Sequence, residues 1–241
     1  MRDKYSQKTY VLLAFFAILL IGSVALSIKM VRGQQPKTKD TQAEERQTVR
    51  DAIRRGGYRE AARVKGNFKG SFDPHWDWAQ LDVESLAKYS EAVIVGVPSK
   101  NLGSHLAAQG QLIVTDYEIV PQEVIKGDMQ QGEAIKVSLP GGLVRFEDGT
   151  TAELVTGSFK LEEGKTYTLF LFKETPESDA FILVAGPQGL FELSDDGQSV
   201  KPSGRASDPA VKETRNMDVK TFLKEVREKS RKWPQPGKCC G

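Results

Sequence analysis

From Thr9 to Ile28 the chain runs for twenty consecutive residues without a charge, and this run constrains everything downstream of it. Val11, Leu12, Leu13, Phe15, Phe16, Ile18, Leu19, Leu20 and Ile21 lie within it. As a helix, a segment of that length is about 30 Å long, which matches the hydrocarbon thickness of a bilayer. No polar stripe interrupts the run, so it does not read as a soluble core helix. Two membrane-directed readings stay open. A cleaved signal peptide fits the basic Arg2, Lys4 and Lys8 and the small residues of Ala25-Leu26-Ser27. The apolar stretch exceeds the roughly 7–15 residues of a signal-peptide core, which favours an uncleaved transmembrane anchor at 9–28 behind a cytoplasmic N-terminus at 1–8. In either reading the remainder crosses the membrane.

The flanking charges pull the other way. Lys29, Arg32, Lys37, Lys39 and Arg46 outnumber the basic residues before the run, and the positive-inside rule taken alone would keep the body in the cytoplasm. A short N-terminal tail followed by a long domain nevertheless has the form of a signal-anchor, and long domains translocate with little regard to charge. The expectation is a single-pass protein of the cell membrane with the bulk of its chain extracytoplasmic, or a secreted one if the run is cleaved.

What remains of the 241 residues leaves room for one domain of about 130 residues. The formal net charge of +2 hides an asymmetry: residues 1–69 are net +9, residues 70–200 net −13, and residues 201–241 net +6. An acidic body is a poor nucleic-acid surface, so no nucleic-acid partner is expected. Both cysteines, Cys239 and Cys240, sit at the extreme C-terminus, and the body therefore has no disulfide framework. Neighbouring cysteines pair poorly with each other. Pairing between chains, a soft metal ion and a lipid are open readings of this tail, beside that of an inconsequential end.

Residues 29–81 read as a charged stalk or linker. Thr41-Gln42-Ala43-Glu44 has capping-box spacing and predicts a helix to Arg55, where Gly56-Gly57 stops it. Its apolar residues (Ala43, Val49, Ala52, Ile53) are few. Between Arg50 and Lys69 lie seven basic residues against Asp51 and Glu60. A solvated linker is one reading; the other is contact with anionic lipid headgroups by Arg50, Arg54, Arg59, Arg63 and Lys69. Asp73, His75 and Asp77 then alternate with Pro74, Trp76 and Trp78. Two carboxylates and one imidazole are too few for a metal site, and the tryptophans are expected to pack on the body.

The body at 82–200 opens with Asp82 as N-cap of a short helix, Val83 to Tyr89. Strand patterns follow. Ala92–Val97 is a continuous apolar run, and Leu112–Val120 alternates with Ile113, Thr115, Tyr117 and Ile119 on one face. Ala134–Leu139 ends in Pro140-Gly141-Gly142, and Leu143–Phe146 and Ala152–Val155 flank the turn signal Glu147-Asp148-Gly149. Thr166–Phe172, Phe181–Ala185 and Gly189–Leu193 complete the set. Short strands at close spacing, with almost no helix between them, predict a mostly β fold, either a small antiparallel closed barrel or a sandwich. The missing crossover helices argue against a parallel sheet. In the segment 201–241 a linker precedes an amphipathic helix with Val219, Phe222, Leu223, Val226 and Ser230 on one face, expected to dock on the body.

The succession Leu86-Ala87, Ser90-Glu91-Ala92-Val93-Ile94-Val95-Gly96-Val97, Thr115-Asp116-Tyr117, Val124-Ile125-Lys126-Gly127, Leu139-Pro140-Gly141-Gly142, Glu163-Gly164-Lys165 and Leu169-Phe170-Leu171 resembles a family of exported bacterial β-domains. These in turn are similar to the OB-type barrel of netrin-like and metalloproteinase-inhibitor domains. The resemblance covers about residues 82–195 and implies an OB-like fold. It does not carry inhibitor activity, which depends on a disulfide-held cysteine at the mature N-terminus. What transfers is Lys126-Gly127 and Pro140-Gly141-Gly142, read as turns that need glycine.

Nothing in the sequence assembles a catalytic constellation. His75 and His105 are the two histidines, no Gly-x-Ser-x-Gly is present, and the glycine pairs lie in strand-to-strand turns without a following helix. Glu147/Asp148 and Asp195/Asp196 are turn carboxylates. The expectation is a non-enzymatic bacterial envelope protein, without cofactor, whose β-domain binds a protein partner or ligand. The alternative is a structural accessory subunit of a trans-envelope assembly, in which the stalk and tail helices do the work.

Overall fold

The computed structural model describes residues 39–71, 79–157 and 159–233. The expected anchor at 9–28, the Asp73/His75/Asp77 stretch and Cys239-Cys240 lie outside the described residues. Among the described residues, no helix is long and apolar enough to cross a membrane.

Helix α1 (Lys39–Lys65) is broken where the glycine pair predicts: Gly56 and Gly57 leave helical geometry, Gly57 at φ +70°. The chain then resumes a helical course instead of ending it. A Cβ on Gly57 would lie 2.3 Å from the carbonyl oxygen of Gly110, so the bend is set by backbone packing against a hairpin turn. Strand β1 (Asn67–Ser71) follows, then helix α2 (Val83–Tyr89), whose N-cap Asp82 accepts from the Ser85 amide at 2.7 Å as expected.

The β framework consists of β2 (Ala92–Ala107), β3 (Leu112–Lys126), β4 (Ile135–Pro140), β5 (Gly142–Arg145), β6 (Thr151–Val155), β7 (Thr166–Phe172), β8 (Ile182–Leu183), β9 (Leu190–Leu193) and β10 (Val200–Pro202). Seven of these form an antiparallel sheet in the order β10-β9-β7-β2-β3-β4, with β8 on β7. A second sheet has the order β1-β6-β5. Helices α3 (Pro209–Thr214) and α4 (Val219–Arg231) end the described chain.

Three expectations are corrected. First, β2 and β3 run far beyond Val97 and Val120, because Pro98, Asn101 and Gly103, which look like breaks, sit at register shifts that a hairpin absorbs as bulges. Second, β1 pairs with β6 in parallel, a long-range pairing that a search for crossover helices does not detect. Third, the sheet is not a closed barrel. Strand β8 is two residues long, and between β4 and the segment before β8 there is one parallel bridge, Val137 to Phe181, rather than a ladder.

Alternation along the strands divides the interior into layers. Val93 and Val95 of β2, Phe170 of β7 and Phe191 and Leu193 of β9 face a helical layer with Leu86 of α2 and Phe222 and Val226 of α4. Phe191 joins Phe170 and Phe222 at ring-centroid distances of 5.7 and 5.0 Å. Each such pair adds about 0.5–1.5 kcal/mol beyond area burial. Docking of α4 is secured by Arg227, whose guanidinium makes two bonds to Glu123 of β3, at 2.7 and 2.8 Å. The opposite face of the sheet buries Ile94, Tyr117, Ile119, Val137, Leu139, Leu169 and Leu171.

A third cluster joins Tyr58 and Ala62 of α1 to Ile113, Phe146, Ala152 and Leu154. Residues 49–241 accordingly cluster as one compact unit. The span from Val49 to Ser71, expected as part of a linker, contributes a packed helix and a paired strand to it. Its few apolar residues suffice because alanines at 52, 61 and 62 let the helix approach the sheet closely, with no exposure left at any of them.

Candidate functional site

The outer face of β3 and β4 carries a cavity of about 420 Å³, within the range of small-ligand pockets. Strand alternation builds it. Val114 and Asp116 of β3 point to this face, as do Lys136, Ser138 and Pro140 of β4, and the 174–186 segment closes one side. Leu112, Phe159, Ile182 and Leu183 supply an apolar wall.

At the polar end the register places Asp116 directly opposite Ser138. The Ser138 hydroxyl donates to Asp116 Oδ1 at 2.5 Å. Asp116 Oδ2 lies 3.1 Å from Lys136 Nζ and 3.7 Å from His105 Nδ1. Lys136 also reaches Asp179 Oδ2 at 3.0 Å. Asp116 is buried and Asp179 exposed, so one ammonium links an interior carboxylate to a surface one. The bonds from Asp179 and Asp116 hold the Lys136 pKa above its ordinary value, and the same ammonium pulls that of Asp179 down. The Ser138 hydroxyl gives its hydrogen to a carboxylate rather than to an imidazole base.

A wider cavity of about 520 Å³ flanks Gly141-Gly142, sharing Leu139, Pro140 and Phe159 with the first. Both glycines have positive φ, +108° and +128°, as the turn reading requires. Gly127, after Lys126, has φ +116°. Burial lowers the pKa of Lys126, whose ammonium donates to the Ala87 carbonyl at the end of α2.

The residues proposed for membrane contact lie elsewhere. Arg50, Arg54, Arg59 and Arg63 are on α1 and Lys69 on β1, all exposed. None of them lines either cavity. The strand pattern carries a trace of the cavity: Asp116, Lys136 and Ser138 are the polar alternates of two strands that pair in register, and His105 lies in β2. Among the described residues, no group of three His, Cys, Asp or Glu is arranged to hold a metal ion. No protein-family model matches the chain, and no curated protein matches it in sequence.

Proposed function

We propose that this chain is a membrane-anchored, extracytoplasmic β-domain that binds a protein partner or ligand in the cavity beside β3 and β4 and catalyses no reaction. The observation that carries the reading is the cavity itself: an apolar wall of ligand size ending in the Asp116–Lys136–Asp179 chain, whose groups are held in place by one another. Such a site orients a bound group through a few fixed polar contacts while the wall supplies affinity.

An OB-like relationship is part of the same proposal. The β2-β3-β4 meander, β7 beside β2 and the parallel bridge from β4 to Phe181 support it. The alternative, an accessory subunit of a trans-envelope assembly worked by its helices, draws no support from α4, whose apolar face already covers the sheet.

The test is a photo-crosslinking residue in place of Glu174, an exposed cavity residue, with the same residue at Lys220 of α4 as control, in the full-length chain in its own membranes. A discrete adduct from position 174 and none from 220 is expected. Equal yields at both positions would remove the cavity from the proposal.

A further inference from the structure

The two basic arms are used differently by the fold. The C-terminal one directs cations at the body: Arg227 pairs with Glu123, Lys232 reaches Glu84 at 2.9 Å and Lys201 reaches Glu192 at 3.1 Å, while Lys229 reaches Glu213 of α3, within the arm, at 3.2 Å. Helix α1 does not follow this pattern. From 49 to 65 its apolar side (Val49, Ala52, Tyr58, Ala61, Ala62) is buried, and Arg50, Arg54, Arg55, Arg59 and Arg63 are exposed. Arg54 meets Asp51 at 3.9 Å with its side chain 78% exposed, and Arg63 meets Glu60 at 3.7 Å with 64% exposed. Pairs that long and that exposed hold a side chain weakly. Arg59, over the Phe146 ring at 5.1 Å, Arg63, whose charge together with that of Arg59 helps to hold the Asp148 carboxyl below its ordinary range, and Lys69, 2.9 Å from Glu153, face the body instead.

We propose that the outward face of α1, through Arg50 and Arg54, one helical turn apart, rests on the anionic headgroups of a phospholipid bilayer. The inference builds on the membrane-anchored reading given above. Charge complementarity selects the occupant: this face is cationic while residues 70–200 are net −13, so an anionic surface attracts the helix and repels most of the remaining body. Reach permits it. The ten residues from 29 to 38 span at most about 35 Å when extended, and the helical residues from Lys39 to Thr48 add about 15 Å between the apolar run and this face.

The experiment uses the full chain with Cys239→Ser, Cys240→Ser and Val64→Cys, a fluorescent donor being attached at position 64, which is 45% exposed. The chain is placed in nanodiscs whose lipids carry a headgroup acceptor, either neutral phosphatidylcholine or rich in phosphatidylserine. Energy transfer is expected to be stronger in the anionic discs and to fall to the neutral level at high salt, as the screening length shrinks from about 8 Å to about 3 Å. Combining Arg50→Gln and Arg54→Gln is expected to shift the docked-to-undocked ratio about twenty-five-fold, roughly fivefold for each basic residue near the surface. Equal transfer in the two discs, or a double variant that behaves as the parent, overturns the proposal. Failure of the anchored reading looks different: the chain then elutes apart from discs of either composition. In that case sedimentation of the same labelled chain with phosphatidylserine and phosphatidylcholine vesicles tests the face by itself. Preferential, salt-sensitive binding to phosphatidylserine supports the proposal, and equal binding overturns it.

Discussion

Replacing Gly142 with alanine tests how the two sheets are joined. The residue opens β5 at φ +128°, and a Cβ there would lie 2.2 Å from Ser104 Oγ and 2.3 Å from Thr115 Oγ1. Those hydroxyls form the joint: they bond each other at 2.8 Å, Thr115 donates to the Gly141 carbonyl at 2.7 Å, and Ser104 accepts from the Leu143 amide at 3.3 Å. The methyl therefore meets strain and crowding together. The backbone conformation costs about 1–3 kcal/mol for a residue with a side chain. Forcing the hydroxyls aside costs about another 1–3 kcal/mol, and a lost hydrogen bond about 1 kcal/mol. Roughly 3–7 kcal/mol in all is a large part of a typical stability of about 5–15 kcal/mol. Gly149→Ala is the control, because that glycine also has positive φ (+82°) but nothing within 4 Å of a Cβ. Urea unfolding of the detergent-solubilised chain should rank Gly142→Ala well below Gly149→Ala. Adding Ser104→Ala should recover part of the difference by removing the nearest atom. Equal losses for the two glycines would refute the argument that the hydroxyl pair pins the sheets.

Two further substitutions probe charged contacts. Glu123→Gln should cost about 1 kcal/mol, since both partners of the Arg227 pair are more than a third exposed and screening limits the interaction. Arg227 holds the Glu123 carboxyl below its ordinary 4.5, so the contribution is complete above that value and is lost as pH falls through the folded-state pKa. Urea midpoints of parent and variant should differ at neutral pH and converge in acid. Lys136→Met should cost about 2 kcal/mol, less than the roughly 3–5 of a fully buried pair, because the lysine side chain retains 32% exposure. In the same variant the Asp179 carboxyl should titrate back up toward its ordinary 3.8, as read by carboxyl-carbon NMR.

Much of the β framework was legible in the sequence because burial on one or both faces imposes its period directly, as in Leu112–Val120 and Thr166–Phe172. The caps Asp82 and the break at Gly56-Gly57 were legible for local reasons: a carboxylate finds the first amides of its own helix, and glycine takes φ values that other residues avoid. Strand β1 was not legible, because its partner β6 lies some eighty residues away and Asn67–Ser71 has no strong apolar alternation. Nor was the cavity. Asp116 looks like the solvent-facing alternate of a strand, and its burial comes with side chains from two other strands, Ser138 and Lys136 of β4 and His105 of β2, that reach it. The basic residues of α1 were legible as candidates, whereas their division into outward Arg50 and Arg54 and body-facing Arg59, Arg63 and Lys69 depends on Phe146, Asp148 and Glu153, far along the chain.

The central claim, that a short N-terminal tail and a membrane anchor precede a body on the far side of the membrane, is tested most directly by the chain's own thiols. Cys239 and Cys240 are its two cysteines and lie at the end of the body. After mild reduction, intact spheroplasts are treated with a membrane-impermeant maleimide before and after permeabilisation, and the chain is followed into the membrane fraction. The account predicts labelling before permeabilisation of a chain that stays with the membrane. Labelling that appears only after permeabilisation would place the body in the cytoplasm and contradict it.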